Sequence, residues 1–459
     1  VFGIIDGTYF GFYSALEAQG IRLVSPRHET SALHMAGAYA RMTGKLGVAM
    51  ASNGPGVANA LSGVAVEQGE GHRVLLITSS RRTGISYPER GGTFQYFDQV
   101  AVTAPMTKLA QAVPSHERIP EMVRRAFRAS WSGRPGVVHL DVPENLINSE
   151  GTFDLDLEVR SPVTYRRTDP IEPDPVAVQK AAKLLRDAEK PLIHAGTGLI
   201  HAGAFDELTA VSERLGAPIT TSWGGRGSVI ESGNPLGVPM AQLEVYQTLR
   251  NEADVILVLG SRIGETDWWG KAPYWGRAGG QTTIQVDLDD ATLGGTRPID
   301  LAVLADIKPF LRRLADALEA GPANARPETW SSDRGSERAP LDKRLEKPLD
   351  GVNPAWVPVR AQQVFDDDTV WVFDGRNTAV WSHFFHETTA HNSVITTFKF
   401  GMLGAGVGQA LGAQVARPDR RVVCLIGDGA MGFHMQEIET AVRAKLPVVF
   451  VVFVDQQWG

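Results

Sequence analysis

One cysteine in 459 residues rules out an internal disulfide framework. A stapled secreted scaffold is therefore excluded, and a reducing, cytoplasmic setting is expected. That residue, Cys424, lies within the apolar stretch RVVCLIG, which marks it as a small buried side chain rather than a nucleophile. No apolar run is long enough for a bilayer-spanning helix, and no leader pattern opens the chain. Basic runs are missing too. With 45 Lys and Arg against 52 Asp and Glu, the net charge is −7, so neither nucleic acid nor an anionic membrane is an expected partner. The eleven histidines show no metal-ligand spacing.

What remains is a globular composition, 43% apolar and 21% charged, in a chain long enough for two or three domains. Apolar runs of four to eight residues alternate with longer helical patterns. IRLVS (21–25), KLGVAMAS and RVLLITSS read as strands, and ETSALHMAGAYARMTG (29–44) as a helix ending in Gly. The same rhythm returns in PLIHAGTG, PITTSWGG, ADVILVLGSR and TTIQVDLDD, then in TVWVFDG, RVVCLIGDG and LPVVFVVFVD. The expected fold class is α/β, with three doubly wound parallel-sheet domains over 1–158, 176–320 and 354–459. Polar stretches at 159–175 and 321–354 are the expected linkers. Both ends, VFGII and DQQWG, read as cut through a domain.

The stretch VVCLIGDGAMGF (422–433) places a carboxylate between glycines at the end of a strand. Asp428 ends one expected strand and Asp455 the next, so a parallel sheet would bring both acids to its carboxyl edge, where such sheets bind ligands. Two hard oxygen donors beside a Gly-flanked helix start suit Mg²⁺ and a diphosphate. The competing reading is a tight turn with a capping Asp. Met435, Ile438, Ala441 and Val442 follow on one side of the helix.

The segment GDGAMGFHMQEIETAVRAKLPVVFVVFVDQQWG resembles the cofactor-binding segment of thiamine-diphosphate enzymes. RHETSALHMAGAYARMTGKLGVAMASNGPGVANALSG, TFQYFDQVAVTAPMTK, DGRNTAVW and GMLGAGVGQALGAQVARP are similar to the acetolactate synthase and benzaldehyde lyase group, so the resemblance runs along the whole chain. It implies pyrimidine-binding, central and diphosphate-binding domains, with thiamine diphosphate and Mg²⁺ as cofactors. Asp428, Asp455 and the Gln457 carbonyl would hold the metal. Asp455 stands where relatives have Asn, which adds a negative charge.

Glu29 on its own reads as a first-turn glutamate favoured by the helix dipole. The resemblance makes it the catalytic carboxyl that hydrogen-bonds the aminopyrimidine and shares its proton. Gly54, Pro55 and Asn59 would lie by the pyrimidine, Asn377, Thr378, Gly427, Gly429 and Ala430 by the diphosphate. Leu403 would wedge the cofactor into its bent shape, and the Gly401 carbonyl would accept from its amino group. Thr8, Phe94, Gln95 and Lys399 would line the substrate pocket, Lys399 facing an anionic group. GAGVGQALG (404–412) follows no strand of a βαβ unit, so it reads as helix packing rather than a dinucleotide fingerprint. HAGTGLIHAG and Arg262 match a flavin-binding region, which keeps FAD as a candidate. NPLGVPMAQ lacks the expected His-Gly and weighs against it. His383 and His386 receive no role.

The resemblance implies a homo-oligomer, dimer or tetramer, with the active site between subunits. The expected reaction is a carboligation that decarboxylates a small 2-oxo acid and joins it to a second carbonyl. A lyase or decarboxylase acting on an aldehyde adduct or acyl-CoA is the alternative, and a non-catalytic binding paralogue is the reading from another class. Glu29, Asp428 and Asp455 together argue against the last.

Overall fold

The computed structural model describes residues 1–4, 6–86, 89–149, 160–240, 242–319, 330, 343 and 345–455. Contacts divide it into two compact units. The first is Val1–Thr168 with Asp374–Arg376 and Thr397–Gly459; the second is Asp169–Phe373 with Asn377–Thr396.

In the first unit, β1 (Phe2–Gly3), β2 (Gly47–Ala51), β3 (Val74–Ser80), β4 (Leu109–Ala112) and β5 (Val137–Pro143) form a parallel sheet in the order β1-β2-β3-β5-β4. Its central strands are buried almost throughout, as in a sheet covered on both faces. Helix α1 (Glu29–Thr43) ends at Gly44, whose φ of +68° closes it in the left-handed region. Helix α2 (Pro55–Glu70) starts with Pro at its first position and packs on α1, where Gly63 admits Leu33.

Helix α3 (Ala405–Ala416), from the glycine-rich run, lies across α1. A Cβ on Gly408 would sit 2.9 Å from the Cβ of His34, and one on Gly412 would overlap the Met35 carbonyl. The glycines are thus explained by helix packing. Gly412→Ala is expected to destabilise the protein by about 1–3 kcal/mol through overpacking. Urea titration checks this, and an unchanged midpoint would contradict it.

In the second unit, β6 (Pro191–Ala195), β7 (Ile219–Thr221), β8 (Val255–Leu259), β9 (Thr282–Asp287) and β10 (Leu301–Leu304) form a parallel sheet ordered β10-β9-β8-β6-β7. The glycines of HAGTG serve a close chain crossing. The Gly196 and Gly198 amides donate to the Leu259 and Gly260 carbonyls, and a Cβ on either would collide with Gly260. Arg262 is exposed. His383 and His386 are buried around Phe373, and both backbone carbonyls accept from the buried Arg226, which pairs with Glu231. Burial, reinforced by Arg226, holds both imidazoles well below their usual range. They are neutral core residues.

The last strands are parallel as well. β11 (Val370–Asp374) pairs with β12 (Val394–Thr396), and β13 (Val422–Gly427) pairs with β14 (Val449–Phe453). Among the described residues, no helix is long and apolar enough to cross a membrane.

Two expectations need correction. The strand expected at 21–25 is a single bridge between Val24 and Phe2. Only Val24 is deeply buried there, while Ile21 faces solvent, so the segment lacks an apolar face to pair along. The helix after Asp428 is in fact two, α4 (Asp428–His434) and α5 (Glu437–Ala444). Met435, Ile438 and Val442 lie on the exposed side, and burial falls instead on Glu437, Thr440 and Ala441. Glu437 accepts the Arg27 amide and the Thr440 hydroxyl, so hydrogen bonds hold that face inward.

Candidate active site

Glu29 is the first residue of α1. His28 caps the helix in extended conformation, its Nδ1 accepting from the Thr30 amide at 3.2 Å. The Glu29 side chain is not the solvated first-turn acid of the simplest reading, because the residue is only 8% exposed. Asn59 Nδ2 donates to its Oε2 at 3.1 Å. A Cβ on Gly56 would lie 3.3 Å from its Oε1. One carboxylate oxygen thus accepts from a side-chain amide, and the other lies over Gly56.

The turn before α2 approaches a second loop closely. Gly54 has φ +64°, and a Cβ there would lie 2.6 Å from the Gln95 carbonyl. Asn53 Nδ2 donates to that carbonyl at 3.3 Å, which places Gln95 beside Gly54. Thr8 joins through Ser79: its hydroxyl donates to Ser79 Oγ at 2.7 Å, and the same oxygen accepts the Asn53 amide at 2.9 Å. Glu29 and Asn59 therefore form one contact pair. Thr8, Gly54 and Gln95 form a network through Asn53 and Ser79. Phe94 is 71% exposed.

Sequence reasoning missed the residues behind this network. Gln99 accepts from the Gly54 amide at 2.7 Å and donates to Asp141 at 2.6 Å and to the Ser79 carbonyl at 3.0 Å. Burial pushes the Asp141 carboxyl up to about 6, against donors from Thr78 and Gln99 that pull it down. Gln99 lies within the quoted TFQYFDQV segment, five residues after Phe94, and a buried amide anchoring a positive-φ glycine leaves no local pattern.

At the other end, β13 delivers Gly427 in extended conformation and α4 begins at Asp428. Asp428 Oδ1 accepts the Gly429 amide at 2.7 Å. The register pairs Gly427 with Phe453, so Asp428 and Asp455 leave the same end of adjacent parallel strands. Asp428 is half-buried and Asp455 exposed. Gln457 lies outside the described residues, among which no group of three or more His, Cys, Asp or Glu is placed to hold a metal.

Asp374, another residue missed from sequence, ends β11 fully buried. Its Oδ2 accepts the Gly406 amide at 2.7 Å and its Oδ1 the Gly375 amide at 2.5 Å, anchoring the start of α3. Burial pushes its carboxyl up to about 6 from the ordinary 3.8. The proton is held more tightly in the folded state, so this group's contribution is fully present below pH 3.8 and is lost as pH rises through 6. Two units correspond to about 3 kcal/mol. Asp374→Asn should therefore be less destabilised relative to wild type at pH 7 than at pH 4, by up to that amount. Denaturant titration at the two pH values checks it, and an unchanged difference would refute the cause assigned here.

Gly404, at φ +87°, packs against α4, with a Cβ there falling 3.1 Å from the Ala430 carbonyl, and the neighbouring Leu403 is half-buried. Gly401 closes a turn onto the Thr397 carbonyl at 2.8 Å. Inside that turn, the Lys399 amide donates to Glu70 Oε1 at 3.0 Å while its side chain is exposed. Asn377 is exposed and Thr378 buried in the first turn of the helix Arg376–Phe385, and both belong to the second unit.

Three family models match in order along the chain. They are the N-terminal thiamine pyrophosphate binding domain over residues 1–102, the thiamine pyrophosphate enzyme central domain over 178–314, and the C-terminal binding domain over 375–459. The acetolactate synthase large subunit of Parasynechococcus marenigrum is 30% identical across the whole chain, which covers 74% of that protein. The chain belongs to the thiamine pyrophosphate enzymes. Within them it falls in the acetolactate synthase-like group. It is also similar to a probable acetolactate synthase large subunit of Methanocaldococcus jannaschii, 29% identical over the whole chain and 78% of that protein. A sulfoacetaldehyde acetyltransferase of Alcaligenes xylosoxydans is 29% identical over the whole chain and 79% of its own length.

Membership makes this a thiamine-diphosphate-dependent enzyme that forms carbon–carbon bonds. The residues present fit that cofactor on their own chemistry. The Gly-Asp-Gly turn leaves backbone approachable beside α4, and a buried carboxyl with one oxygen unengaged by side chains stands at the start of α1.

Proposed function

We propose that this chain is a thiamine-diphosphate- and Mg²⁺-dependent carboligase that decarboxylates a small 2-oxo acid and joins the acyl unit to a second carbonyl. The observation carrying this reading is the buried Glu29 carboxyl held by Asn59, in the same chain as paired acids at the ends of β13 and β14. When bound, the coenzyme supplies a nucleophilic carbon and an electron sink. Asp428, Asp455 and the Gln457 carbonyl hold the metal, and Gly427, Gly429 and Ala430, with Asn377 and Thr378, receive the diphosphate. Glu29 holds and moves a proton at the pyrimidine ring, with Gly54, Pro55 and Asn59 beside it. Leu403 would contact the coenzyme through its apolar side chain, and the Gly401 carbonyl would accept a hydrogen bond from it. The assembly is a homo-oligomer with the site at a subunit boundary.

Thr8, Phe94, Gln95 and Lys399 face the substrate in this scheme. Lys399 presents an exposed ammonium on a turn anchored to α2, which suits an anionic group. Lys399→Ala is expected to raise KM for anionic substrates about tenfold, a loss of about 1.4 kcal/mol. Unchanged KM values across all accepted anions would remove Lys399 from the pocket.

A second reading has the support of the similarity to the sulfoacetaldehyde acetyltransferase, namely acetyl transfer starting from sulfoacetaldehyde. A substrate screen with thiamine diphosphate and Mg²⁺ separates the two. Acetoin-forming colour after pyruvate supports the carboligase. Consumption of sulfoacetaldehyde without turnover of any 2-oxo acid supports the transferase.

A further inference from the structure

Behind Glu29 runs a line of imidazoles that the proposed chemistry does not use. Glu67, on α2, is fully buried, and both of its oxygens meet histidines. Oε1 lies 2.7 Å from His34 Nδ1, and Oε2 lies 2.5 Å from His72 Nδ1. Gly37 makes the room, since a Cβ there would overlap the carboxylate. On the other side of His34 sits the enclosed His434, at the end of α4. Its ring centre is 6.4 Å from that of His34 and 5.4 Å from that of His28. His34 Nε2 and both nitrogens of His434 are buried without a hydrogen-bond partner. Burial lowers His34 to about 3 and His434 to about 4, so both rings are neutral near pH 7.

A neutral imidazole has one N–H and one lone pair, and a carboxylate only accepts. Burial raises the Glu67 carboxyl and the His72 hydrogen bond opposes it; as a carboxylate, Glu67 requires hydrogens on Nδ1 of both His34 and His72. That leaves His34 Nε2 as a buried lone pair without a direct partner. No direct bond reaches it, so a water enclosed between the rings would have to carry an N–H of His434 to it, with the other His434 nitrogen turned toward His28. His28 Nδ1 already accepts the Thr30 amide, so its hydrogen is on Nε2. In that arrangement every donor would point toward Glu67, and aligned bonds of this kind polarise one another. At the far end of the line is His28, the residue before Glu29.

We infer that Glu67 is a positioning residue acting at a distance. Its carboxylate sets the hydrogen of His34 directly and that of His434 through an enclosed water, so that the line meets the Nε2–H of His28 at the entry of α1 where Glu29 stands. The same line ties α1 to α4, the helix that starts at Asp428. The inference rests on the role proposed for Glu29. A half-satisfied line would be worse than an apolar one, because unpaired buried imidazole nitrogens are costly.

Ring nitrogen-15 spectra of the histidine-labelled full chain test it. The expected result is Nδ1–H on His34 and His72 and Nε2–H on His28. In Glu67→Gln, an amide offers one acceptor where two are needed, so His34 or His72 must change tautomer. There kcat is expected to fall about tenfold while KM stays within a few-fold, in the range of other losses of supporting contacts. His434→Leu should reproduce the loss of kcat, and His434→Asn, which keeps a donor and an acceptor, should largely restore it. Nε2–H on His34 in the wild type would overturn the inference, as would full kcat in both Glu67→Gln and His434→Leu. If Glu67→Gln does not fold, the wild-type spectra and the His434 pair still decide. An inactive wild type would refute the function proposed above. An active wild type with the wrong tautomers would refute only this inference.

Discussion

Glu29→Gln is expected to lower kcat by about 10²–10⁴-fold, the usual contribution of a positioned proton-transfer group, while the protein keeps its fold. The geometry separates the two effects. Glutamine has the volume of glutamate, and its oxygen can still accept from Asn59 Nδ2, now 3.1 Å from the carboxylate. The start of α1 is capped by His28, not by Glu29, so the helix keeps its first turn. What disappears is the ability to exchange a proton at the pyrimidine ring. Steady-state kinetics beside thermal unfolding make the measurement. Turnover within a few-fold of wild type would show that Glu29 is a buried structural acid after all.

The second large effect falls on the metal end. Asp428→Ala is expected to weaken thiamine diphosphate binding, measured with Mg²⁺ present, by at least about 100-fold, since even supporting contacts around metal sites are worth 10–100-fold. The register of β13 and β14 makes a contrast available. Asp455 occupies the place where the resemblance expects Asn, so Asp455→Asn removes one negative charge but keeps an oxygen donor. Binding in that variant should stay within a few-fold of wild type. If both variants bind normally, the acids at the strand ends are turn residues and the alternative reading of Gly-Asp-Gly is correct.

The strand-and-helix rhythm was legible because buried parallel strands read as uninterrupted apolar runs. β3, β8 and β13 are each buried over nearly their whole length, and each lies within three residues of the bounds that the sequence pattern sets. The glycine-rich run at 404–412 was legible as packing because it follows no strand of a βαβ unit. Where burial depends on a partner segment distant in sequence, local pattern failed. Ile21–Ser25 carries apolar residues but meets β1 only at Val24. Met435, Ile438 and Val442 have helical spacing yet sit on the exposed face, because hydrogen bonds from Arg27 and Thr440 hold Glu437 inside.

The same limit hid most of the support around the candidate site. In VAVEQGEGH, Glu67 looks like an ordinary surface acid. Only the gap at Gly37, thirty residues earlier, and the two histidines on its flanks make its burial tolerable. Gln99, Ser79 and Asp141 are ordinary polar residues until the fold stacks them behind Gly54. Glu29, Asn59 and Asp428 were nameable because they lie in contiguous motifs of the family.

Isothermal titration of thiamine diphosphate into the protein with Mg²⁺ present, then into metal-stripped protein with a chelator, tests the central claim most directly. The account predicts saturable binding with the metal and loss of most of the affinity without it. Equal binding in the two titrations, or no heat in either with folded protein in the cell, would contradict it.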